Sequence, residues 1–214
     1  MSAPLADWPR VRLAEGGFSP VVFYVVFGCD AANLNLSRSR YRCDAIPDKL
    51  QINAYGPGNH PEVLVDFRHG YLWDELAATE PQLARIVAQQ SKCVIVRGTV
   101  IDDTSLNYFR NSIGLLTCLL DAGGVAIFDP LAFKWWSSDQ WNAEVFEPAS
   151  PVPYRHVTIL VSNEPENRQW FHTRGLGKFG RPDLSIHGVP AEHGGAITDL
   201  FNRFIEFQAL GGVI

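Results

Sequence analysis

The chain has 214 residues, of which 46% are hydrophobic and 19% are charged, and its formal net charge is -5. This length suits one large domain or two small ones, and the composition is typical of a globular protein. A negative net charge does not attract nucleic acid or anionic lipid over long range, so we predict neither a nucleic-acid partner nor a membrane partner.

The N-terminus and the cysteines indicate the compartment. Met1–Arg10 has neither the basic start nor the apolar run of a signal peptide. The longest apolar run, Val21–Phe27, is too short to span a bilayer. None of the four cysteines forms a C-x-x-C pair, which disfavours a zinc ribbon or a thioredoxin-type site. We therefore expect a cytoplasmic protein without a metal or another cofactor.

The first predicted element is a buried strand. Residues 1–19 are rich in glycine and proline and are expected to form a loose lead-in. Val21–Phe27 follows, apolar without alternation and bounded by Pro20 and Gly28. Such a run predicts a strand that is buried on both faces.

Arginines and a hairpin pattern occupy the next part of the chain. Arg38, Arg40 and Arg42 recur at every second position, which is compatible with one face of an edge strand or with a solvated arm. Lys49–Tyr55 and Glu62–Phe67 flank a Gly-Pro-Gly-Asn turn, so the pattern predicts a β-hairpin.

A βαβ unit is predicted in the middle of the chain. A short helix near residues 71–78 and a second helix starting at Pro81 come first. Cys93–Val100 reads as a strand and Val125–Phe128 as another. Between them an apolar stripe recurs at spacings of three and four, formed by Leu106, Phe109, Ile113, Leu116 and Leu120. Strand, helix and strand in this order predict a right-handed crossover.

Residues 130–153 are predicted to form a long aromatic loop with several prolines. Trp135 and Trp136 are neighbours, so in a strand they point to opposite sides. One interpretation is that the segment 134–141 exposes Trp135, Trp136 or Trp141 as the contact for a protein partner. The alternative is a loop held down by its own aromatic side chains.

The remaining elements complete the predicted fold. His156–Val161, Trp170–Thr173 and residues 184–189 read as strands, and Ala196–Ala209 reads as an amphipathic helix. Without repeats or low-complexity segments, the chain is predicted to form a single domain over residues 1–214. Its fold class is α+β, with a single mixed sheet, a central βαβ unit and helices packed on the sheet.

The segment His172–Asp183 combines three glycines, one proline and several cationic side chains. Glycine and proline fix the backbone here, so the side chains are expected to hold fixed positions. We predict a site for a small anionic ligand formed by Arg174, Lys178 and Arg181. The alternative is a tied-down Ω-like loop whose arginines bind carbonyl groups while Asp183 pairs with an arginine.

No catalytic motif accompanies this segment. The sequence lacks G-x-x-x-x-G-K-[ST], G-x-S-x-G and H-E-x-x-H. The candidates for proton transfer are His172, His187 and Asp183, since both histidines flank the loop. A metal would require folding to gather these same three residues, and we do not predict one.

The C-terminal third resembles a known family. Thr173-Arg174-Gly175-Leu176 followed by Phe179-Gly180-Arg181-Pro182-Asp183-Leu184-Ser185-Ile186 is similar to the T-x-G-L-x-x-F-G-x-P-[DE]-[IL]-x-[VI] signature of an uncharacterised bacterial domain family. The preceding LNYFRNSIGLLTCLLDAGGVAIFDP is similar to the helix and strand of that family. The resemblance covers roughly residues 90–190 and implies an α+β bacterial cytoplasmic protein. It assigns no catalytic residue, and neither His172 nor Lys178 belongs to the signature.

Two functional hypotheses follow. The first is a non-enzymatic binding protein, either an adaptor or an immunity-type protein that grips a partner. The second is an enzyme or sensor that acts on a small anionic ligand held by the His172–Asp183 segment.

Overall fold

The computed structural model describes residues 5–32 and 34–214. A five-stranded sheet has the order β2-β3-β1-β4-β5 and a three-stranded sheet has the order β6-β7-β8. The strands are β1 (Val21–Phe27), β2 (Gln51–Tyr55), β3 (Cys93–Thr99), β4 (Ala126–Asp129), β5 (Lys134–Ser137), β6 (Thr158–Glu164), β7 (Arg168–Arg174) and β8 (Ser185–Pro190). The helices are α1 (Arg38–Tyr41), α2 (Glu62–Asp66), α3 (Tyr71–Thr79), α4 (Pro81–Ala88), α5 (Asn107–Asp121), α6 (Ser138–Trp141) and α7 (Gly194–Ala209).

The α+β class is confirmed, but the sheet arrangement differs from the expected single mixed sheet. There are two sheets among the described residues, and neighbouring strands in both run antiparallel. Strands β3 and β4 both lie antiparallel to β1, one on each side of it. They are therefore parallel to each other, and α5 connects them across β1. The predicted strand–helix–strand unit exists with a third strand inserted between its two strands.

Strand β1 is buried on both faces, as its uninterrupted apolar sequence predicted. Val22, Tyr24 and Val26 belong to the cluster that packs against α5. Val25 and Phe27 belong to the opposite cluster, which packs against helices α2 to α4. The five-stranded sheet is thus the middle layer between two helical layers.

In the first half of the chain the predicted hairpin is wrong, and one of the two alternatives for the arginines does not form. Glu62–Asp66 is a helical turn that buries Leu64, and the second strand of the expected hairpin does not form. Its apolar residues resemble a strand pattern, but Pro61 directly precedes the turn and favours a helical start. The edge strand that was one alternative for the alternating arginines does not form either. Arg38 and Arg40 lie on the helical turn α1, where the Ser37 hydroxyl accepts a hydrogen bond from the amide of Arg40, and Arg42 is its C-cap.

Residues 5–19 are not the loose lead-in that their composition predicted, whereas residues 1–4 lie outside the described part. Trp8 is buried and its indole N–H donates to the carbonyl of Ala149 at 3.0 Å. The amide of Arg12 donates to Leu210 O at 2.9 Å, and the amide of Phe18 donates to Gly180 O at 3.1 Å. This segment is held down by backbone hydrogen bonds that composition does not reveal.

Residues 130–153 likewise hold regular structure in place of the predicted long loop. Strand β5 pairs with β4 in a hairpin, and α6 starts directly after it. Ser137 and Gln140 form a reciprocal capping box at the start of α6. The helix continues into a π-helical turn over Asn142–Phe146.

Candidate functional site

The segment His172–Asp183 is closed by hydrogen bonds among its own residues and with Leu184. The Thr173 hydroxyl donates to Asp183 Oδ1 at 2.9 Å and accepts from the amide of Leu184 at 2.8 Å. The amide of Leu176 donates to the same carboxylate oxygen at 3.2 Å. Asp183 therefore closes the loop through backbone and hydroxyl donors, and its expected pairing with an arginine does not occur in the structure.

Glycine is required at two of the turns in this loop. Gly175 has φ +118°, and a Cβ there would lie 2.5 Å from the carbonyl oxygen of His156. Gly180 has φ +68°, and a Cβ would lie 2.3 Å from the carbonyl oxygen of Phe18. Both positions combine a left-handed backbone with close backbone packing, which side chains do not tolerate.

Lys178 is the first of the three predicted ligand-binding cations, and it lies in the core. Its ammonium group is fully buried and forms an ion pair with Asp129, which is also buried. Burial lowers the pKa of Lys178 and raises the pKa of Asp129. The second oxygen of Asp129 accepts the amides of Leu131 and Ala132 at 3.1 and 3.2 Å. Lys178 thus anchors the loop to the β4–β5 turn.

Arg181 is buried as well and binds the C-terminal end of the chain. Its guanidinium donates to three carbonyls, those of Gly180, Gly211 and Gly212, at 2.8 to 3.0 Å. It also donates to Asp102 at 3.2 Å, and the buried Arg10 pairs with the same carboxylate. This is the tied-down arrangement in which an arginine binds carbonyl groups.

Arg174 is the only one of the three predicted cations that is exposed. Its guanidinium lies 5.6 Å from the centroid of the Phe133 ring and donates no hydrogen bond within the described ranges. The structure therefore does not bring Arg174, Lys178 and Arg181 together into one anion site. Two of them are buried in the fold, and Arg174 lies at the surface.

The three tryptophans predicted to contact a partner are core residues. Trp135, Trp136 and Trp141 expose 8%, 2% and 0% of their surface. Trp135 and Trp136 point to opposite faces of the sheet, as neighbours in a strand must, and each face is covered by helices. Trp141 donates its indole N–H to Thr117 Oγ1 at 3.0 Å. These side chains hold the segment down and are not available at the surface.

The candidate proton-transfer residues do not assemble either. The Trp170 indole lies between the two imidazoles, stacked on His172 at 4.0 Å and on His187 at 4.7 Å between ring centroids. Asp183 is committed to the closure of the loop. Within residues 5–32 and 34–214, no group of three histidine, cysteine, aspartate or glutamate side chains is arranged to hold a metal ion.

This stack belongs to a surface that sequence reasoning missed, which we call the outer sheet face. It comprises the side chains on one side of β6, β7 and β8, all exposed or half-buried: Thr158, Leu160, Ser162, Glu164, Arg168, Trp170, His172, Arg174, Ser185, His187 and Pro190. The inner side of the same sheet carries Phe171 and Val189, which pack with Phe201 of α7. The sequence of β7, RQWFHTR, places Arg168, Trp170, His172 and Arg174 at every second position, and this alternation could have predicted that they share one face.

The outer sheet face is predominantly cationic. Arg168 and Arg174 lie at the two ends of β7, and Glu164 is paired with His187 at 2.7 Å. The hydrogen bond from His187 lowers the pKa of Glu164. Partial burial and the neighbouring Arg174 lower the pKa of His172. The face therefore presents two arginines and one carboxylate around an aromatic centre, with Glu164 directly across from Arg168.

Comparison of the chain with protein-family models, with curated proteins and with solved structures finds no match. Over the described residues, no helix has both the length and the apolar character needed to cross a bilayer.

Proposed function

We propose that this chain is a non-enzymatic binding protein of the bacterial cytoplasm, an adaptor or an immunity-type protein, that grips a protein partner through the outer sheet face. The observation that supports the proposal is the composition of this face. It places Trp170 between two histidines and flanks it with Arg168 and Arg174. Tryptophan and arginine are the residues that most often dominate the binding energy of protein interfaces.

The charge of the face indicates the chemistry of the partner. The whole chain carries -5, so a face that holds Arg168 and Arg174 against a single carboxylate, Glu164, is a local exception. An acidic segment of a partner complements such a face and is steered toward it. Strands β6 and β8 are the edges of the three-stranded sheet, and an edge strand presents free backbone groups that an extended segment can pair with.

The test compares co-purification from a bacterial extract by the wild type and by two variants, Trp170→Ala and Arg168→Glu. Arg203→Glu, an exposed change on α7, is the matched control. A partner retained by the wild type is then purified, and its affinity is measured by calorimetry. We expect Trp170→Ala to weaken binding by at least about tenfold, because a central aromatic contact contributes ~2 kcal/mol or more. Binding that is unchanged in both variants, or no retained partner, contradicts the proposal.

A second candidate function, an enzyme or sensor of a small anionic ligand, is supported by Arg174. Its guanidinium is exposed and faces a pocket of about 330 Å³ in which Asp183 also takes part. A thermal-shift screen of small anions with the wild type and with Arg174→Met tests this candidate, since a bound ligand raises the melting temperature.

A further inference from the structure

A small pocket lies between the β4–β5 turn and the loop that follows β7. Its volume is about 330 Å³. One wall is apolar and consists of Val21, Pro130, Leu131 and Phe133. The polar lining side chains are Arg174 and Asp183. Ligand pockets span roughly 300–1,000 Å³, so this one suits a molecule at the small end of that range.

The two polar side chains carry opposite charges, and each has hydrogen-bonding atoms that no described residue occupies. Arg174 is exposed, and its guanidinium donates to no other side chain or carbonyl in the described part of the chain. Asp183 uses Oδ1 for both of its contacts, with Thr173 and with Leu176. Its Oδ2 accepts no hydrogen bond from any residue that the structure describes. The pocket thus offers one cation and one anionic oxygen beside an apolar wall.

Phe133 provides an independent indication of function. Its φ is +55°, in the left-handed region that bulky side chains rarely adopt and where glycine is free of strain. The ring is 39% exposed and lies 5.6 Å from the guanidinium carbon of Arg174. A large aromatic side chain is therefore held at the pocket against its backbone preference, and such strain is concentrated at ligand-binding positions.

We infer that this pocket binds an α-amino acid with an apolar side chain. Arg174 binds the carboxylate through paired N–H donors, Oδ2 of Asp183 accepts from the ammonium group, and the side chain packs against Phe133 and Leu131. The inference rests on the second candidate function and narrows its ligand from an anion to a zwitterion. It shares Arg174 with the outer sheet face but does not involve Trp170.

A variant that fills the pocket without disturbing the backbone is available. A Cβ at Gly177 has no heavy atom within 4 Å, and the φ of Gly177 is not positive. Gly177 is among the lining residues of the pocket, so we expect Gly177→Leu to narrow the pocket while the loop keeps its shape. Gly195, in the first turn of α7, is equally open and serves as the matched control, Gly195→Leu.

The experiment is calorimetric titration of the full chain with three probes: L-leucine, 4-methylpentanoate, which lacks the ammonium group, and 3-methylbutylamine, which lacks the carboxylate. We expect leucine to bind, and each truncated probe to bind at least about tenfold more weakly, the ratio that corresponds to ~1.4 kcal/mol. Gly177→Leu should abolish leucine binding, whereas Gly195→Leu should retain it.

Asp183→Asn separates the contributions of the two polar groups. The amide oxygen still accepts from Thr173 and Leu176, so the loop stays closed, but the negative charge is lost. Leucine should then bind no better than 4-methylpentanoate does. Phe133→Gly should weaken leucine binding, because it removes the ring from the pocket wall while glycine is compatible with the positive φ.

The outcomes distinguish this inference from the function on which it rests. If 4-methylpentanoate binds as tightly as leucine, the inference of an amino-acid ligand is wrong, but the second candidate function, binding of a small anion, is retained. If none of the three probes binds and no small anion shifts the melting temperature, both are wrong. If Gly177→Leu still binds leucine, the pocket is not the binding site.

Discussion

Lys178→Met tests whether the buried ion pair with Asp129 holds the loop to the sheet. Methionine keeps the length of the side chain and most of its packing, and it removes the charge. Asp129 then remains fully buried, with only the amides of Leu131 and Ala132 as donors. Removal of one partner from a buried pair costs ~3–5 kcal/mol, so we expect the free energy of unfolding to fall by that amount at neutral pH.

The deficit of Lys178→Met should depend on pH. Burial already raises the pKa of Asp129, and the attraction of Lys178 opposes that rise, so its loss raises the pKa further. As pH falls, a carboxyl whose pKa is higher in the folded than in the unfolded protein binds its proton in the folded state at a higher pH than in the unfolded state. The variant therefore loses stability as pH rises through the raised pKa, and it regains stability as pH falls toward the ordinary aspartate value of ~3.9.

Urea denaturation followed by circular dichroism, at several pH values, measures both effects. The double variant Lys178→Met with Asp129→Asn is the control, since asparagine keeps the acceptor for Leu131 and Ala132 but carries no charge. It should recover at least ~1–2 kcal/mol of the loss and show no such pH dependence. A single variant within ~1 kcal/mol of the wild type, or a deficit equal at every pH, refutes the reasoning.

Three further predictions concern the loop, the tryptophans and the cysteines. Gly175→Ala should cost ~2 kcal/mol or more in urea denaturation because its Cβ meets the carbonyl of His156, whereas Gly177→Ala should be nearly neutral; equal losses would contradict this. Trp141→Ala should lose ~3–5 kcal/mol, as a core residue does, and a loss below ~1 kcal/mol would place it at the surface. All four cysteines are buried, and burial raises the pKa of Cys29 to about 12, so a thiol reagent should react slowly with the native protein and rapidly after unfolding. A fast-reacting native thiol would contradict that.

The parts of the fold that were predictable are those in which the local pattern decides the structure. The uninterrupted apolar run of β1 and the stripe of α5 specify how many faces are buried, and both elements form as predicted. The strand predicted at Glu62–Phe67 did not form because a short segment with three central apolar residues fits a strand and a helical turn equally well. The prediction of a loose lead-in over residues 5–19 was wrong because this segment is held by hydrogen bonds to residues about a hundred or more positions away in the sequence.

The site was predictable only in part, for a related reason. Two glycines of the segment His172–Asp183, Gly175 and Gly180, have positive φ, so turns at these positions could be inferred from the sequence. Whether a cation in that loop is buried depends on its distant partners. Asp129 draws Lys178 into the core, and the carbonyls of Gly211 and Gly212 do the same for Arg181. Arg174 has no such partner and stays at the surface.

The central claim is that Arg181 stabilises the fold whereas Arg174 does not, and one comparison tests it most directly. The free energy of unfolding is measured by urea denaturation for Arg181→Met and for Arg174→Met. Arg181→Met leaves the carbonyls of Gly180, Gly211 and Gly212 without their donor, so we predict a loss of ~3 kcal/mol or more. Arg174→Met should change stability by no more than ~0.5 kcal/mol, as surface substitutions do. Similar values for the two variants, or a larger loss for Arg174→Met, would contradict the account.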